Sequence, residues 1–454
     1  MLPRTPVLKE LPFVPDALDR MLALHGRNPD FYPAFLDSAA PGGDLGRFSL
    51  LLAAPGEPLQ LDRHGLITGP GEGDGFCARL NSWWREERGP APPPPWPFAG
   101  GWFLYLGYEL AAEVEPTLKI PGSPLELVAS AVRVAAAILH DHATGRSIAI
   151  GEEGAERSVD RLVADFTHCQ PLPEDGPYPA VVNVEEDDPA LYLAACRGAL
   201  AHIAAGDVYQ ANLARSWQIP MPPGGSITGL YRRLRKANPG AFAGLARMPG
   251  FHLLSSSPER LVRVRGRRID TRPIAGTRPR QGSSDAGAIA ELTGSAKEQA
   301  EHVMLIDLER NDLGRLCEAG TVQVDEFMVV ESYAHVHHIV SNVSGQLRAD
   351  VEPGDVIRAL FPGGTITGCP KVRCMQLIGD LEAKGRGAYT GALGYLALDG
   401  SLDLNILIRT MTVQDGIIEL RAGAGIVADS EPDRELDETR AKARGLLRAL
   451  GSEA

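Results

Sequence analysis

Apolar positions along this chain recur with two periods, and the change from one to the other marks out its elements. Short runs such as Phe48-Ser49-Leu50-Leu51-Leu52 and Trp102-Phe103-Leu104-Tyr105-Leu106 predict strands. A helix is predicted from Asp188, a capping residue, through Pro189 at the first turn to Ala205, with Gly206 as its stop. Strands are expected at Val208–Trp217 and Phe251–Ser255, and a hairpin at Arg260–Arg265 and Arg268–Thr271 around Gly266. A long helix follows over about Ser295 to Cys317, then a strand at Val336–Val343 and a helix at Lys371–Glu382 that Pro370 opens. Asp399-Gly400 joins predicted strands Tyr389–Leu398 and Leu402–Val413, a strong hairpin signal. Asp415-Gly416 turns into Ile417–Ala422, and a last helix covers about Pro432 to Leu450. Strands in antiparallel pairs with helices inserted between them predict an α+β fold, large antiparallel sheets with flanking helices.

Two stretches interrupt the pattern. Gly89-Pro90-Ala91-Pro92-Pro93-Pro94-Pro95 reads as a stiff surface loop, and Gln170 to Asp188 is rich in proline and acid. The second places the main boundary, giving an N-terminal region 1–175 and a second domain 180–454. At 44% hydrophobic over 454 residues, the chain can bury a large core. Its net charge of -13 argues against nucleic acid or an anionic membrane as partner, without excluding an anionic substrate in a locally basic pocket. The N-terminus lacks a long apolar run, so no signal peptide is expected. Leu125 to Leu139 is interrupted by Arg133 and too short to span a bilayer. Six cysteines without CxxC spacing suggest reduced thiols and a cytoplasmic protein.

The most informative polar pattern is a pair of acidic helix motifs. Glu298 and Glu301 are three apart on one predicted helix, and Glu435 and Glu438 on the last. Each pair projects from one face. Alone, either is an ordinary solvated face; together they offer oxygen ligands suited to Mg2+, which keeps waters and shares its shell with an anionic substrate. Lys442 lies one turn beyond Glu438. Arg409 ends the apolar run Leu404-Asn405-Ile406-Leu407-Ile408, either paired structurally or awaiting an anion. Ile274-Ala275-Gly276-Thr277-Arg278, Gly363-Gly364-Thr365 and Ala422-Gly423-Ala424-Gly425 let backbone approach a ligand, yet none is a P-loop or dinucleotide fingerprint. Strand alternation puts His335 and His337 on one face and His338 on the other, which argues against a three-histidine zinc site. No glycine-flanked cysteine or serine nucleophile is present.

These pieces occur in the order of a known family. The carrying residues are Gly206-Asp207-Val208-Tyr209-Gln210-Ala211-Asn212-Leu213, Ser256-Ser257-Pro258-Glu259-Arg260, Arg272-Pro273-Ile274-Ala275-Gly276-Thr277-Arg278 and Lys297-Glu298-Gln299-Ala300-Glu301-His302. They continue with Asp307-Leu308-Glu309-Arg310-Asn311-Asp312, His338-Ile339-Val340-Ser341, Phe361-Pro362-Gly363-Gly364-Thr365-Ile366-Thr367-Gly368, Pro370-Lys371-Val372-Arg373, Ile408-Arg409-Thr410 and Gly423-Ala424-Gly425-Ile426-Val427. With these motifs the chain resembles the chorismate-utilising enzymes, and Phe35-Leu36-Asp37-Ser38 with Gly46-Arg47-Phe48-Ser49 resembles their more variable N-terminal half.

The resemblance implies roles. Glu301 and Glu438 match the Mg2+ ligands, and Glu298 and Glu435 the flanking acids that hold metal waters. Tyr389, Arg409, Gly423, Gly425 and Lys442 match positions around the substrate carboxylates, Gly276 and Thr277 the pocket wall, and His338 a histidine beside the ring. Ser38 matches a pocket that senses tryptophan. Members that add water carry a lysine base where this chain has Gln210, and a neutral amide cannot deprotonate water, so the implied nucleophile is ammonia. Gly364-Thr365-Ile366-Thr367-Gly368 and Gln210-Ala211-Asn212-Leu213 resemble the aminodeoxychorismate synthase branch, a transferase of p-aminobenzoate and folate biosynthesis. The anthranilate synthase branch, which aminates C2 and expels pyruvate, usually has an Asn-Pro-Ser-Pro-Tyr-Met segment where Asn238-Pro239-Gly240-Ala241-Phe242-Ala243 stands here. Ala275 departs from the pattern: some aminodeoxychorismate synthases have a lysine there that attacks C2, which alanine cannot do. The implied partners are chorismate and a separate glutamine amidotransferase subunit.

Overall fold

The computed structural model describes residues 5–40, 46–172, 179, 181, 183–280, 285–332 and 336–452. Every strand pairing among them is antiparallel, in one continuous hydrogen-bonded sheet of 21 strands. Its hinge is two 15-residue strands, Phe48–Asp62 and Leu127–Asp141, paired with each other along most of their length. The first half of Leu127–Asp141 pairs with Gly101–Leu106, and the second half with Arg146–Gly151. The sheet thereby doubles back on itself.

Side-chain alternation shows what each face covers. Leu50 and Leu52 join one apolar cluster while Leu51 joins another; Phe103 and Tyr105 join the first while Leu104 joins a third. The first cluster therefore fills the space between the two halves of the sheet. Behind one half lie helices Ala17–Arg27, Glu156–His168, Ile227–Ala237 and Pro432–Ala449. Behind the other lie Phe76–Glu87, Ala296–Gly314 and Pro353–Leu360. The result is helices, sheet, sheet, helices, the α+β architecture the pattern predicts. Strands before residue 175 sit inside this frame: Ala34–Asp37 pairs with Phe242–Met248, and Gly101–Leu106 with Ala392–Ala397. Part of the Gln170–Asp188 stretch lies outside the described residues.

Local signals set many boundaries. The Asp188 carboxylate accepts from the Ala190 amide at 2.9 Å and starts the helix Pro189–Ala204. The Ser295 hydroxyl likewise caps Ala296–Gly314, accepting from the Glu298 amide. The expected hairpin of Arg260–Arg265 and Arg268–Thr271 forms, with Arg265 opposite Arg268 across Gly266.

Three expectations need correction. The strand at Gln210–Pro220 begins and ends later than Val208–Trp217. Tyr389 precedes its strand, which starts at Ala392. The single strand expected over Leu402–Val413 is two, Leu402–Ile406 and Thr410–Gln414. The chain crosses there from one half of the sheet, where Leu402–Ile406 pairs with Arg260–Arg265, to the other, where Thr410–Gln414 pairs with Phe251–Ser257. Arg409 is thus not a strand residue but the pivot of that crossing, with φ at +50°. Among the described residues no helix is long and apolar enough to cross a membrane, and all six cysteines are free.

Candidate active site

The crossing at Arg409 opens the candidate site. Its carbonyl accepts from the Ser256 amide and hydroxyl, both at 3.1 Å, which ties the pivot to the neighbouring strand. Thr390, opposite, also has positive φ (+62°) and donates its amide to the Leu407 carbonyl at 2.8 Å. Two non-glycine residues held in the left-handed region cost about 1–3 kcal/mol each, a strain that persists only where surrounding structure imposes it. Among the described residues the Arg409 guanidinium forms no ion pair, and Glu259 is the one carboxylate that acts on it. Burial lowers its proton affinity, and the nearby Glu259 opposes that effect. Of the two readings open in the sequence, paired or awaiting an anion, this favours the second.

Glu259 is the functional group the sequence reading passed over. It is 7% exposed, and its Oε1 accepts from the Thr365 hydroxyl at 2.8 Å. Burial pushes its carboxyl up to about 7, against the opposing pull of the Thr365 bond, Arg409 and Lys442. A neutral carboxylic acid beside two cations is a proton donor near neutral pH. A signal was present: a lone acid between Ser256-Ser257-Pro258 and the strand Arg260–Arg265.

Several of the predicted residues lie near the same place, Lys442 close to Glu259 and His338 close to Arg409. Lys442, in the last helix, donates to the Gly423 carbonyl at 2.9 Å and pairs with Glu438 at 2.8 Å. A methyl group on Gly423 would lie 2.8 Å from the Tyr389 hydroxyl and 2.9 Å from Asn212 Oδ1, so both side chains crowd that backbone. Asn212 Oδ1 is buried with no hydrogen-bond partner among the described residues. On Gly425 a methyl would meet the Gln210 amide nitrogen at 2.5 Å. Only glycine therefore lets that side chain lie across the strand Ile417–Ile426. His338 Nδ1 is 3.2 Å from the Gly276 carbonyl, and burial, with Arg409, holds the ring at about 4, so it is neutral at pH 7. Gly276 has φ +61° on a bulge between Ala275, opposite Ile339, and Thr277, opposite His338. A methyl there would sit 2.9 Å from a Glu298 oxygen. His335 and the Thr277 side chain lie outside the described residues.

Behind these groups, Arg386 fixes the loop that carries Tyr389. It pairs with Glu382 at 2.6 Å, donates to the Asn212 carbonyl at 2.7 Å and stacks over the Tyr389 ring at 5.6 Å. Its own amide donates to Glu109 at 2.6 Å, a residue of the N-terminal region.

Of the four acids expected at a metal, Glu298 and Glu301 lie on the helix Ala296–Gly314 and Glu435 and Glu438 on Pro432–Ala449. Among the described residues no three His, Cys, Asp or Glu side chains gather closely enough to cage a metal ion. Glu435 is buried and Glu438 exposed. Their chemistry still fits Mg2+, which is held by one or two carboxylates while waters and an anionic ligand complete its shell. Ser38 lies elsewhere, on the wall of a cavity shared with Asp37, Arg47, Phe242, Tyr395 and Asn405. Its hydroxyl donates to the Phe48 carbonyl at 2.8 Å.

Comparison with known proteins finds relatives over most of the chain. A family described as chorismate binding enzyme matches residues 77–448. Anthranilate synthase component 1 of Streptomyces coelicolor is 38% identical over 447 residues, 93% of this chain and 84% of that protein. An aminodeoxychorismate synthase of Streptomyces griseus is 36% identical over 448 residues, 92% of this chain and 61% of that protein. The crystal structure of anthranilate synthase component I from Streptococcus pneumoniae superposes with a TM-score of 0.78 at 28% identity, covering 89% of this chain and 93% of that one.

Proposed function

The chain belongs to the chorismate binding enzyme family, and from that premise we propose that it is the synthase subunit of an aminodeoxychorismate synthase, acting in the cytoplasm. It is a chorismate-utilising enzyme of the anthranilate or aminodeoxychorismate synthase type. The observation that carries the finer reading is the group formed by Glu259, Arg409, Lys442 and Gln210. Among the described residues the Arg409 guanidinium has no ion-paired carboxylate, with only Glu259 nearby, which suits it to grip one substrate carboxylate. The Gly423–Gly425 backbone and the Tyr389 hydroxyl complete a surface for a dianion. Glu259, carrying its proton near pH 7, gives it to the departing ring hydroxyl, which leaves as water. His338 is neutral and acts as a hydrogen-bonding wall of the pocket.

Gln210 closes the pocket with an amide that cannot act as a base toward water, which favours ammonia as the nucleophile. An added ammonia sheds a proton for each one Glu259 spends, so the reaction balances. Glu301 and Glu438 would hold Mg2+, with Glu298 and Glu435 holding its waters. The ion would supply charge against a substrate carboxylate. A separate glutamine amidotransferase subunit would deliver the ammonia.

Ala275 favours a second reading. An alanine supplies no covalent nucleophile at C2, which leaves that carbon open to ammonia itself, the position aminated in anthranilate synthesis. Mass spectrometry of the products from chorismate, Mg2+ and ammonium at mildly alkaline pH decides. An amine that retains the enolpyruvyl carbons supports the C4 reading; anthranilate with pyruvate refutes it.

A further inference from the structure

Two motifs singled out in the sequence have no part in the site described so far: Asp307-Leu308-Glu309-Arg310-Asn311-Asp312 and Pro370-Lys371-Val372-Arg373. The fold brings them together behind Glu259. Glu309 is 6% exposed on the helix Ala296–Gly314, and Asp312, one turn later, is 3% exposed. Asp312 forms an ion pair with Lys371, the first residue of the helix Lys371–Glu382. The Lys371 amine also reaches the Leu360 carbonyl at 3.4 Å, and its side chain keeps 15% of its surface in solvent.

The other end of this group abuts the active site. A methyl on Gly364 would lie 3.5 Å from Glu309 Oε1. The next residue, Thr365, is the one whose hydroxyl donates to Glu259 at 2.8 Å. Glu309 and Glu259 therefore flank one turn, Gly364-Thr365. The groups facing Glu309 are Asp312 on its own helix, Lys371, the Thr271 hydroxyl, and Glu259 across the turn. Those facing Asp312 are Lys371, Arg315 and Asn311.

We propose that Glu309 is the proton reservoir of Glu259, returning a proton across the Gly364-Thr365 turn after each turnover and refilling from solvent through Asp312 and Lys371. The inference rests on the reading that Glu259 is the proton donor. In each cycle Glu259 loses one proton to the departing hydroxyl and becomes a carboxylate. Glu309 gives that carboxylate a proton and is itself recharged by one from water, so charge and protons balance. The transfer itself is uphill by about tenfold, because Glu309 sits at about 8 and Glu259 at about 7, and uptake of a proton from water by the emptied Glu309 completes it. Burial, then the Asp312 carboxylate, pushes Glu309 up to about 8, and an ionised Glu259 raises it too. At pH 7 Glu309 thus still holds a proton when Glu259 has spent its own. A relay through a surface-touching lysine serves an active site that excludes bulk water once substrate covers it.

Glu309→Gln keeps size and hydrogen bonding but cannot pass a proton. With ammonium and saturating chorismate, kcat should fall about tenfold or more with KM unchanged, and the solvent deuterium isotope effect on kcat should rise. Lys371→Met should act in the same direction. A second measurement needs no turnover: infrared spectroscopy of the full chain moved into D2O follows exchange of the buried carboxylic acid protons. The wild type should show protonated buried acids near pH 6.5, with Glu259 and Glu309 among them. In Glu309→Gln the Glu309 signal should vanish and exchange of the Glu259 signal, assigned by its loss in Glu259→Gln, should slow at least about tenfold. Exchange and kcat both at wild-type values in a folded Glu309→Gln would overturn the relay. A wild type that makes no product from chorismate would instead refute the proposed function, and the exchange rates would still decide the relay.

Discussion

Replacing Glu259 with glutamine should stabilise this protein while stopping its chemistry, and the gain should depend on pH in a defined direction. The carboxyl is buried, and its ordinary value of 4.5 rises to about 7 in the fold. The native state therefore binds a proton that the unfolded chain gives up between those values. Stability contributed by that proton is present below pH 4.5 and lost as pH rises toward 7. At 1.36 kcal/mol per pH unit the full loss is about 3 kcal/mol. At pH 5 it is under about 1 kcal/mol, and at pH 8.5 nearly complete. Glutamine keeps an oxygen for the Thr365 hydroxyl and never ionises, so Glu259→Gln should be more stable than wild type by about 3 kcal/mol at pH 8.5. For a chain of 454 residues that is about 3 °C in Tm. Thermal or urea unfolding of both proteins at pH 5 and pH 8.5 checks this, with turnover measured alongside. A stability difference that is the same at both pH values would refute the raised carboxyl, and wild-type turnover in the variant would refute its role as donor.

Glu438→Ala should remove Mg2+-dependent turnover while leaving unfolding within about 1 kcal/mol of wild type, because the residue is exposed and its Lys442 pair is a surface one; normal activity would remove Glu438 from the metal assignment. Gly425→Ala should fold normally, since the atom it meets is the movable end of Gln210, yet turnover with ammonium should drop as that amide is pushed aside; unchanged turnover would deny Gln210 a place in the site. Arg386→Met should cost about 3–5 kcal/mol in urea unfolding, because it strands the buried Glu382 carboxylate. A loss under about 1 kcal/mol would show that Glu382 finds another partner.

Much of the fold was legible because its signals are local. Asp188 before Pro189 fixes a helix start, Ser295 caps another, and alternating residues in Phe48–Leu52 declare a strand with two covered faces. The acid pairs, Arg409, Lys442 and the glycine turns could be named from residue type and spacing, since a dianion calls for cations and close backbone.

Tertiary structure decided the rest, for reasons no local window contains. Leu402–Val413 has one continuous apolar pattern, yet the chain breaks at Arg409 because its two halves pair with different strands, Arg260–Arg265 and Phe251–Ser257. Glu259 became a candidate acid only once Thr365, some hundred residues away, bonded it in a place stripped of water. Glu309 looks like any helix carboxylate until Gly364 and Lys371 are packed beside it. Periodicity and caps depend on neighbours along the chain, so the sequence alone declared the elements and the residue types of the site. Proton affinity and charge pairing depend on desolvation and on groups far apart in sequence, so only the folded sheet decided which of those residues carry chemistry.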